Sequence, residues 1–219
     1  FGMTEIPGVL CMPFEGPQKL GTMGTVGRHP DPARPWAECR VVDDEGRDVA
    51  PGAVGELWVK HPIVTQGYYR DPEQTRAAFR DGWFMTGDLV SRDADGHYTF
   101  VSRKKDIIRR RDENIAGAEI DRVIQSHPGV YEVAAVPVPS ELGEDEILAA
   151  IVPKPGAAIT PHAIAQWCAE RLAAMKVPRY VLFVDELPHT PTHKVAKVLL
   201  KSDPTLRDRA VDLQRPREP

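Results

Sequence analysis

The sequence lacks most of the features that would place it at a glance. It holds 3 cysteines, Cys11, Cys39 and Cys168, odd in number and widely spaced. That pattern matches neither a disulfide framework nor a zinc site, so reduced thiols and a cytoplasmic location are expected. No apolar run approaches the roughly 18 residues that a membrane-crossing helix requires, and no signal-peptide pattern is present. An excess of positive charge is missing as well. The 28 Lys and Arg residues face 32 Asp and Glu, a net charge of −4, which argues against wholesale binding to nucleic acid or to a membrane surface. There is no repeat and no low-complexity segment. Position 1 is Phe rather than Met, and the opening FGMTEIPG reads as though entered in mid-domain, so a fragment is expected.

What is present is a chain of 219 residues with 42% apolar content, enough for one large or two modest soluble domains. The organising stretch is VSRKKDIIRRRDENIAGAEI, residues 101–120. Six of the nine residues at 103–111 are basic. A short apolar-basic strand pattern leads into Asp112-Glu113-Asn114, which reads as a turn, and an amphipathic helix follows with Ile120, Val123 and Ile124 on one face. A solvated charged surface would account for a basic cluster standing alone. Its neighbours on both sides point to something narrower.

Upstream, residues 1–20 are rich in Gly and Pro and carry the adjacent polar pair Thr4-Glu5. Residues 38–42 and 55–60 alternate like antiparallel strands around the turn at 43–46. Asp71 is placed to cap a short helix that starts at Pro72 and carries Ala77, Ala78 and Phe79. The stretch 82–89, GWFMTGDL, puts Asp88 after a turn at Gly87, a signal that is weak on its own. A hairpin with its tip at 94–96 then delivers the chain to Arg103. Downstream, residues 118–125 read as a helix, 130–138, 146–152 and 180–184 as strands. Thr160 and Pro161 open a further helix with Ile164, Trp167, Cys168, Leu172 and Met175 on one face. Residues 202–219 read as a frayed polar tail.

Taken as an ordered set, FGMTE at 1–5, GELWVK at 55–60, GYY at 67–69, WFMTGDL at 83–89, the basic run, AEID at 118–121 and PHTPTHKV at 188–195 resemble the C-terminal part of the adenylate-forming acyl-CoA synthetases. The fatty-acid and carnitine-type CoA ligases are the most similar branch, and the resemblance extends to about Leu200. It implies an α+β fold. Residues 1–104 would form an antiparallel β-barrel-like remnant of the large adenylation domain. Residues 105–201 would form a small mobile α+β C-terminal domain, and 202–219 its tail. The implied activity is that of an acid–thiol ligase, in which a carboxylic acid reacts with ATP to give acyl-AMP and the CoA thiol then displaces AMP. The implied ligands are ATP or AMP, Mg²⁺ and coenzyme A.

The resemblance also implies roles residue by residue. Lys194 matches the catalytic lysine, whose compact ammonium offsets the repulsion between carboxylate and α-phosphate. Asp88 and Arg103 match the ribose contacts, Thr4 a phosphate-binding hydroxyl, Glu5 the Mg²⁺ carboxylate and Phe1 an aromatic beside adenine. Lys105 matches the hinge. Arg109, Arg110 and Arg111, with Asp112 beside them, become the candidates for coenzyme A. Three departures stand against this. The Gly-, Ser- and Thr-rich phosphate loop of the family is absent and would precede Phe1, which makes an upstream portion supplied as a separate chain one expected partner. Asp112 and His193 stand where the family has glycine, and a Cβ at either turn threatens the thioester step or the aim of Lys194. A non-catalytic nucleotide- or partner-binding module of the same fold is therefore the alternative. Nucleic-acid binding by the basic run is disfavoured by the overall acidity and by the lack of interleaved aromatics.

Overall fold

The computed structural model of the chain describes residues 1–16, 18–31, 33–111, 113–140 and 143–214. The chain divides into two compact units, Phe1–Lys105 and Asp106–Pro219. Among the described residues no helix is long and apolar enough to cross a membrane.

Apart from one short helix, the regular structure of the first unit is antiparallel strand. After the small ribbon β1 (Leu10–Cys11) and β2 (Thr25–Val26) come β3 (Glu38–Val42) and β4 (Val54–Lys60), then the helix α1 (Pro72–Ala78), then β5 (Phe79–Arg80), β6 (Trp83–Arg92) and β7 (Tyr98–Arg103). The sheet runs β3-β4-β6-β5, with β7 also paired to β6. Its core is the apolar set that strand alternation turns inward, including Leu57, Val59, Phe84, Val90 and Tyr98, with Ile6 and Val9 from the N-terminal loop and Leu10 from β1. Asp71 caps α1 by accepting the Gln74 N–H at 2.9 Å, with Pro72 in the first turn. The helix stops one residue short of expectation, because Phe79 pairs with Phe84 as part of β5.

The second unit mixes helix and sheet. A hairpin of β8 (Ile107–Arg110) and β9 (Glu113–Ala116) precedes α2 (Gly117–Gln125). Then come β10 (Val130–Pro139), β11 (Asp145–Pro153), α3 (Pro161–Ala169), β12 (Tyr180–Phe183), α4 (Lys197–Lys201) and β13 (Val211–Asp212). The larger sheet runs β10-β11-β12-β13, with β11 and β12 parallel and the other pairs antiparallel. Both of its faces are covered. Ile120, Ile124, Ile164 and Cys168 pack on one side with Ile147 and Ile151, and Leu187, Leu200 and Leu206 on the other with Leu148 and Leu182. That is why β11 reads as one continuous apolar run.

Three local expectations change. Glu113 and Asn114 lie in β9, where Ile108 faces Ile115 and both are buried, so packing overrides the turn propensity of the Glu-Asn pair. The turn falls at Arg111, with φ 52°. The helix at Pro161 ends at Ala169, so Leu172 packs on the core from beyond it and Met175 lies in a 3₁₀ turn, Ala174–Lys176. The tail is not frayed through residue 214. Leu206 is buried, β13 pairs with β12, and Arg179 holds Asp212 in a two-pronged ion pair at 3.0 and 2.8 Å. Residues 215–219 lie outside the described residues.

That ion pair makes the tail part of the fold. Asp212→Ala leaves the largely buried Arg179 short of a partner, and a loss of about 2–3 kcal/mol is expected in urea unfolding. An unchanged midpoint would mean that β13 adds nothing to stability.

Candidate functional site

In the first unit one irregularity of the sheet creates the site. Across β4 and β6, Glu56 faces Leu89 and Trp58 faces Met85, so Thr86, Gly87 and Asp88 together oppose Leu57. This is a bulge, which bends its strand and re-aims a side chain. Gly87 takes φ 70°, a left-handed conformation that glycine adopts without penalty. Thr86 fastens the bulge, donating its hydroxyl to Leu57 O at 2.8 Å and accepting the Asp88 N–H at 3.1 Å. Beneath it Glu56, only 7% exposed, accepts the Gly87 N–H at 3.0 Å through Oε1 and meets Lys104 Nζ at 3.1 Å through Oε2. Lys104 also pairs with Asp44 at 2.8 Å. One buried carboxylate thus ties the bulge that carries Asp88 to the end of β7.

The hairpin register then sets Asp88 opposite Arg103, whose Nε lies 3.6 Å from Asp88 Oδ1. A cavity of about 530 Å³ opens here, lined by Met3, Glu5, Tyr68, Gln74, Thr86, Gly87, Asp88, Arg103, Lys104 and Lys105. Glu5 reaches it from a tight turn closed by mutual hydrogen bonds between Met3 and Ile6, both at 3.0 Å. Tyr68 donates its hydroxyl to Glu5 Oε1 at 3.0 Å, and the Thr65 N–H donates to Glu5 O at 2.8 Å. Burial raises the Asp88 carboxyl above its ordinary range. Arg103 pulls it back down, and Glu56 pushes it up further. Burial and the Glu5 contact likewise raise the Tyr68 phenol, so it stays protonated and remains a donor.

The cavity therefore gathers Glu5, Asp88, Arg103 and Lys105 in the first unit, whose boundary falls just after Lys105. Phe1 packs against the core instead, and Thr4 is exposed at the tip of the Met3–Ile6 turn. Lys194 belongs to the second unit, exposed on a short loop where Thr190 N–H donates to Lys194 O at 2.8 Å. Arg109 and Arg111 are exposed at the β8–β9 hairpin, while Asp112 lies outside the described residues. Arg110 departs from the set expected for coenzyme A. It is 4% exposed, donates through one guanidinium nitrogen to Met175 O at 2.7 Å and Val177 O at 3.1 Å, and meets Glu146 at 2.8 Å. It is an internal anchor and has no face for a ligand. Glu56, Lys104 and Tyr68 gain roles that the motifs alone do not give them. Glu56 and Tyr68 sit inside GELWVK and GYY, but only the three-dimensional contacts assign them.

The fit to a divalent cation can be tested on this geometry. Among the described residues no group of three His, Cys, Asp or Glu side chains could hold a metal alone. Glu5 offers one carboxylate oxygen to the cavity with the other engaged by Tyr68. A single carboxylate suits Mg²⁺, which keeps water and shares its remaining sites with substrate phosphates.

A bulged antiparallel sheet followed by an α+β unit, with such a cavity, is the fold of the adenylate-forming enzymes. The structure superposes on ATP-bound MatB from Rhodopseudomonas palustris with a TM-score of 0.80 and 34% identity, over 91% of this chain and 39% of that one. The chain belongs to the AMP-binding enzyme family, matching the family model over residues 1–69 and the model of the AMP-binding enzyme C-terminal domain over residues 119–194. It is 36% identical to the oxalate–CoA ligase of Arabidopsis thaliana over 201 residues, which are 90% of this chain and 37% of that protein. It is 38% identical to a long-chain-fatty-acid–CoA ligase of Salmonella typhimurium over 204 residues, 93% of this chain and 35% of that protein. The chain thus spans little more than a third of the length of these relatives, and their named acids differ.

The electrostatics of Asp88 give a test with a defined sign. A carboxyl raised by burial destabilises the fold once it is ionised, and that cost disappears below both its folded and unfolded values. Asp88→Asn is expected to melt slightly higher than the parent at pH 7, with the gain fading as the pH falls towards 4. A lower melting point at pH 7 would show that the Arg103 pairing outweighs burial.

Proposed function

We propose that the chain is the C-terminal portion of an acyl-CoA synthetase, an adenylate-forming ligase that joins a carboxylic acid to coenzyme A at the expense of ATP. The observation that carries this is the cavity of the first unit, where a buried carboxylate, a cation opposite it and a second carboxylate converge. Asp88 supplies oxygens for the two ribose hydroxyls, and Arg103 holds the same sugar from across the hairpin. Glu5 would hold Mg²⁺, whose chemistry is to neutralise charge on the phosphate oxygens. Tyr68 fixes the orientation of Glu5, and Thr4 at the same turn reaches for phosphate.

Lys194 is assigned the first half-reaction. Carboxylate and α-phosphate are both anionic, and an ammonium between them stabilises the charge that accumulates in the transition state. Lys105 is assigned the hinge, where a few backbone dihedrals change the presentation of the second unit between half-reactions. Arg109 and Arg111 are assigned to coenzyme A phosphates. Oxalate and long-chain fatty acids are the substrates named for two relatives, so the acid class stays general. A nucleotide- or partner-binding module without ligase activity is the second reading, and His193 favours it by placing a Cβ and a ring at the turn next to Lys194, with φ 58°.

Titration of the chain with AMP tests the cavity directly. Binding is expected, weakened about tenfold or more by Asp88→Ala, as for loss of a buried charged hydrogen-bond partner. Carboxylate-dependent ATP–pyrophosphate exchange, with the chain combined with the phosphate-loop portion of a CoA ligase, tests the chemistry. Lys194→Ala should lower exchange about 10²–10³-fold, while thioester formation from supplied acyl-AMP survives. Equal loss of both half-reactions would refute the role of Lys194. AMP binding without exchange would favour the module.

A further inference from the structure

Three consecutive acids meet three consecutive arginines in the second unit. Arg109 N–H donates to Asp145 Oδ2 at 3.1 Å, and Arg111 N–H donates to Glu144 Oε2 at 2.5 Å. Between them the Arg110 side chain pairs with Glu146 at 2.8 Å. The geometry follows from strand alternation. Arg110 points inward and is buried, whereas Arg109 and Arg111 point outward and are exposed. The two backbone donors lie on the free edge of β8, since β9 pairs with its other side. Glu146 in turn lies 4.0 Å from Arg179, which holds Asp212, so the clasp continues into the core sheet.

Arg111 has a second need for support. Its φ of 52° is a conformation that residues with a Cβ seldom adopt. Such residues persist where surrounding contacts over-determine them. Here the carboxylate of Glu144 does so by accepting the amide of the strained residue itself. The acids also offset repulsion among three adjacent guanidinium groups, one of which burial already makes easier to deprotonate.

We propose that Glu144, Asp145 and Glu146 are the positioning residues of the basic hairpin, fixing its tip so that Arg109 and Arg111 face an anionic ligand while Arg110 serves as the anchor. The choice of ligand rests on the assignment of Arg109 and Arg111 to coenzyme A phosphates made above. The positioning itself rests on the three acid–arginine contacts.

Amide hydrogen exchange and ligand titration on the 219-residue chain separate the two. Asp145→Ala should speed exchange at Arg109, and Glu144→Ala at Arg111, each by about tenfold or more, with other amides unchanged. Asp145→Asn and Glu144→Gln keep an acceptor and should restore protection. The melting point of each variant should stay within about 2 °C of the parent. The paired alanine variant should bind coenzyme A about threefold or more weakly, as for loss of one or two modest contacts, while AMP binding stays the same. Unchanged exchange at Arg109 and Arg111 overturns the proposal. So does faster exchange across the whole unit, which would mark a purely structural role, and so does undiminished coenzyme A binding with the hairpin loosened. If the parent chain binds no coenzyme A, the ligand assignment falls, and the exchange comparison still decides the positioning.

Discussion

The site depends on one buried carboxylate, that of Glu56. A charge removed from water must be met by partners within the protein, and each oxygen of Glu56 has one. Because those partners are the Gly87 amide and the Lys104 ammonium, satisfying Glu56 fixes the relative positions of the β6 bulge and the end of β7. The Thr86 hydrogen bonds and the β6–β7 register then bring Asp88 and Arg103 opposite each other. The cost of leaving Glu56 half-paired, at least the roughly 1–3 kcal/mol of an unsatisfied buried polar group and more for a charged one, is large enough to hold a local distortion of the sheet. Lys104 is more exposed than Glu56, at 44% against 8% for the side chains. Its pairing with Asp44 therefore counts for little on its own, and the tie to the end of β7 rests on the Glu56–Lys104 contact.

The second unit repeats the principle with a longer chain of charges. Arg110, Glu146, Arg179 and Asp212 link the basic hairpin, the central strand β11 and the terminal strand β13. The Arg110–Glu146 approach is 2.8 Å, yet neither Arg110 Nε nor Glu146 Oε2 finds an aligned hydrogen bond. The pair is held by charge, and the oriented donation of Arg110 goes to the Met175 and Val177 carbonyls. An arginine can divide its work in this way because its planar fork presents several donors at once. A lysine at 110 would supply the charge without the two carbonyl contacts.

Much of this was legible in the sequence, for identifiable reasons. The period-two pattern of residues 38–42 and 55–60, the Asp71-Pro72 start of α1 and the Thr160-Pro161 start of α3 are local signals, and the structure follows them, with β4 beginning one residue earlier. The basic run was visible as composition, but composition cannot tell a buried arginine from an exposed one. Only the register of β8 against β9, with Glu146 of β11 meeting the inward side chain, separates Arg110 from its neighbours. The order of the tail is not legible, because Val211-Asp212 is too short to read as a strand and its place depends on Arg179 at a distance of 33 residues. Glu56 illustrates the general limit. Its identity stands in the sequence, while its burial and its two partners arise from strands that meet only on folding.

Glycine's absence before Lys194 looks different once the loop is seen. His193 takes φ 58°, the left-handed conformation that a glycine would adopt without strain. Such a conformation costs a residue with a Cβ about 1–2 kcal/mol. The loop meets that cost with its own hydrogen bonds. His193 N–H donates to Thr190 O at 2.9 Å, Thr190 N–H to Lys194 O at 2.8 Å, and Lys194 N–H to the Thr190 hydroxyl at 3.2 Å. A bridge between His189 and Val195 closes the base, and His189 is tied to Glu132 of β10 at 2.9 Å. The hydrogen bonds of the loop thus hold His193 in a conformation that a glycine would also adopt. His193 therefore departs from a glycine in its side chain, an exposed ring, and not in the backbone conformation it adopts.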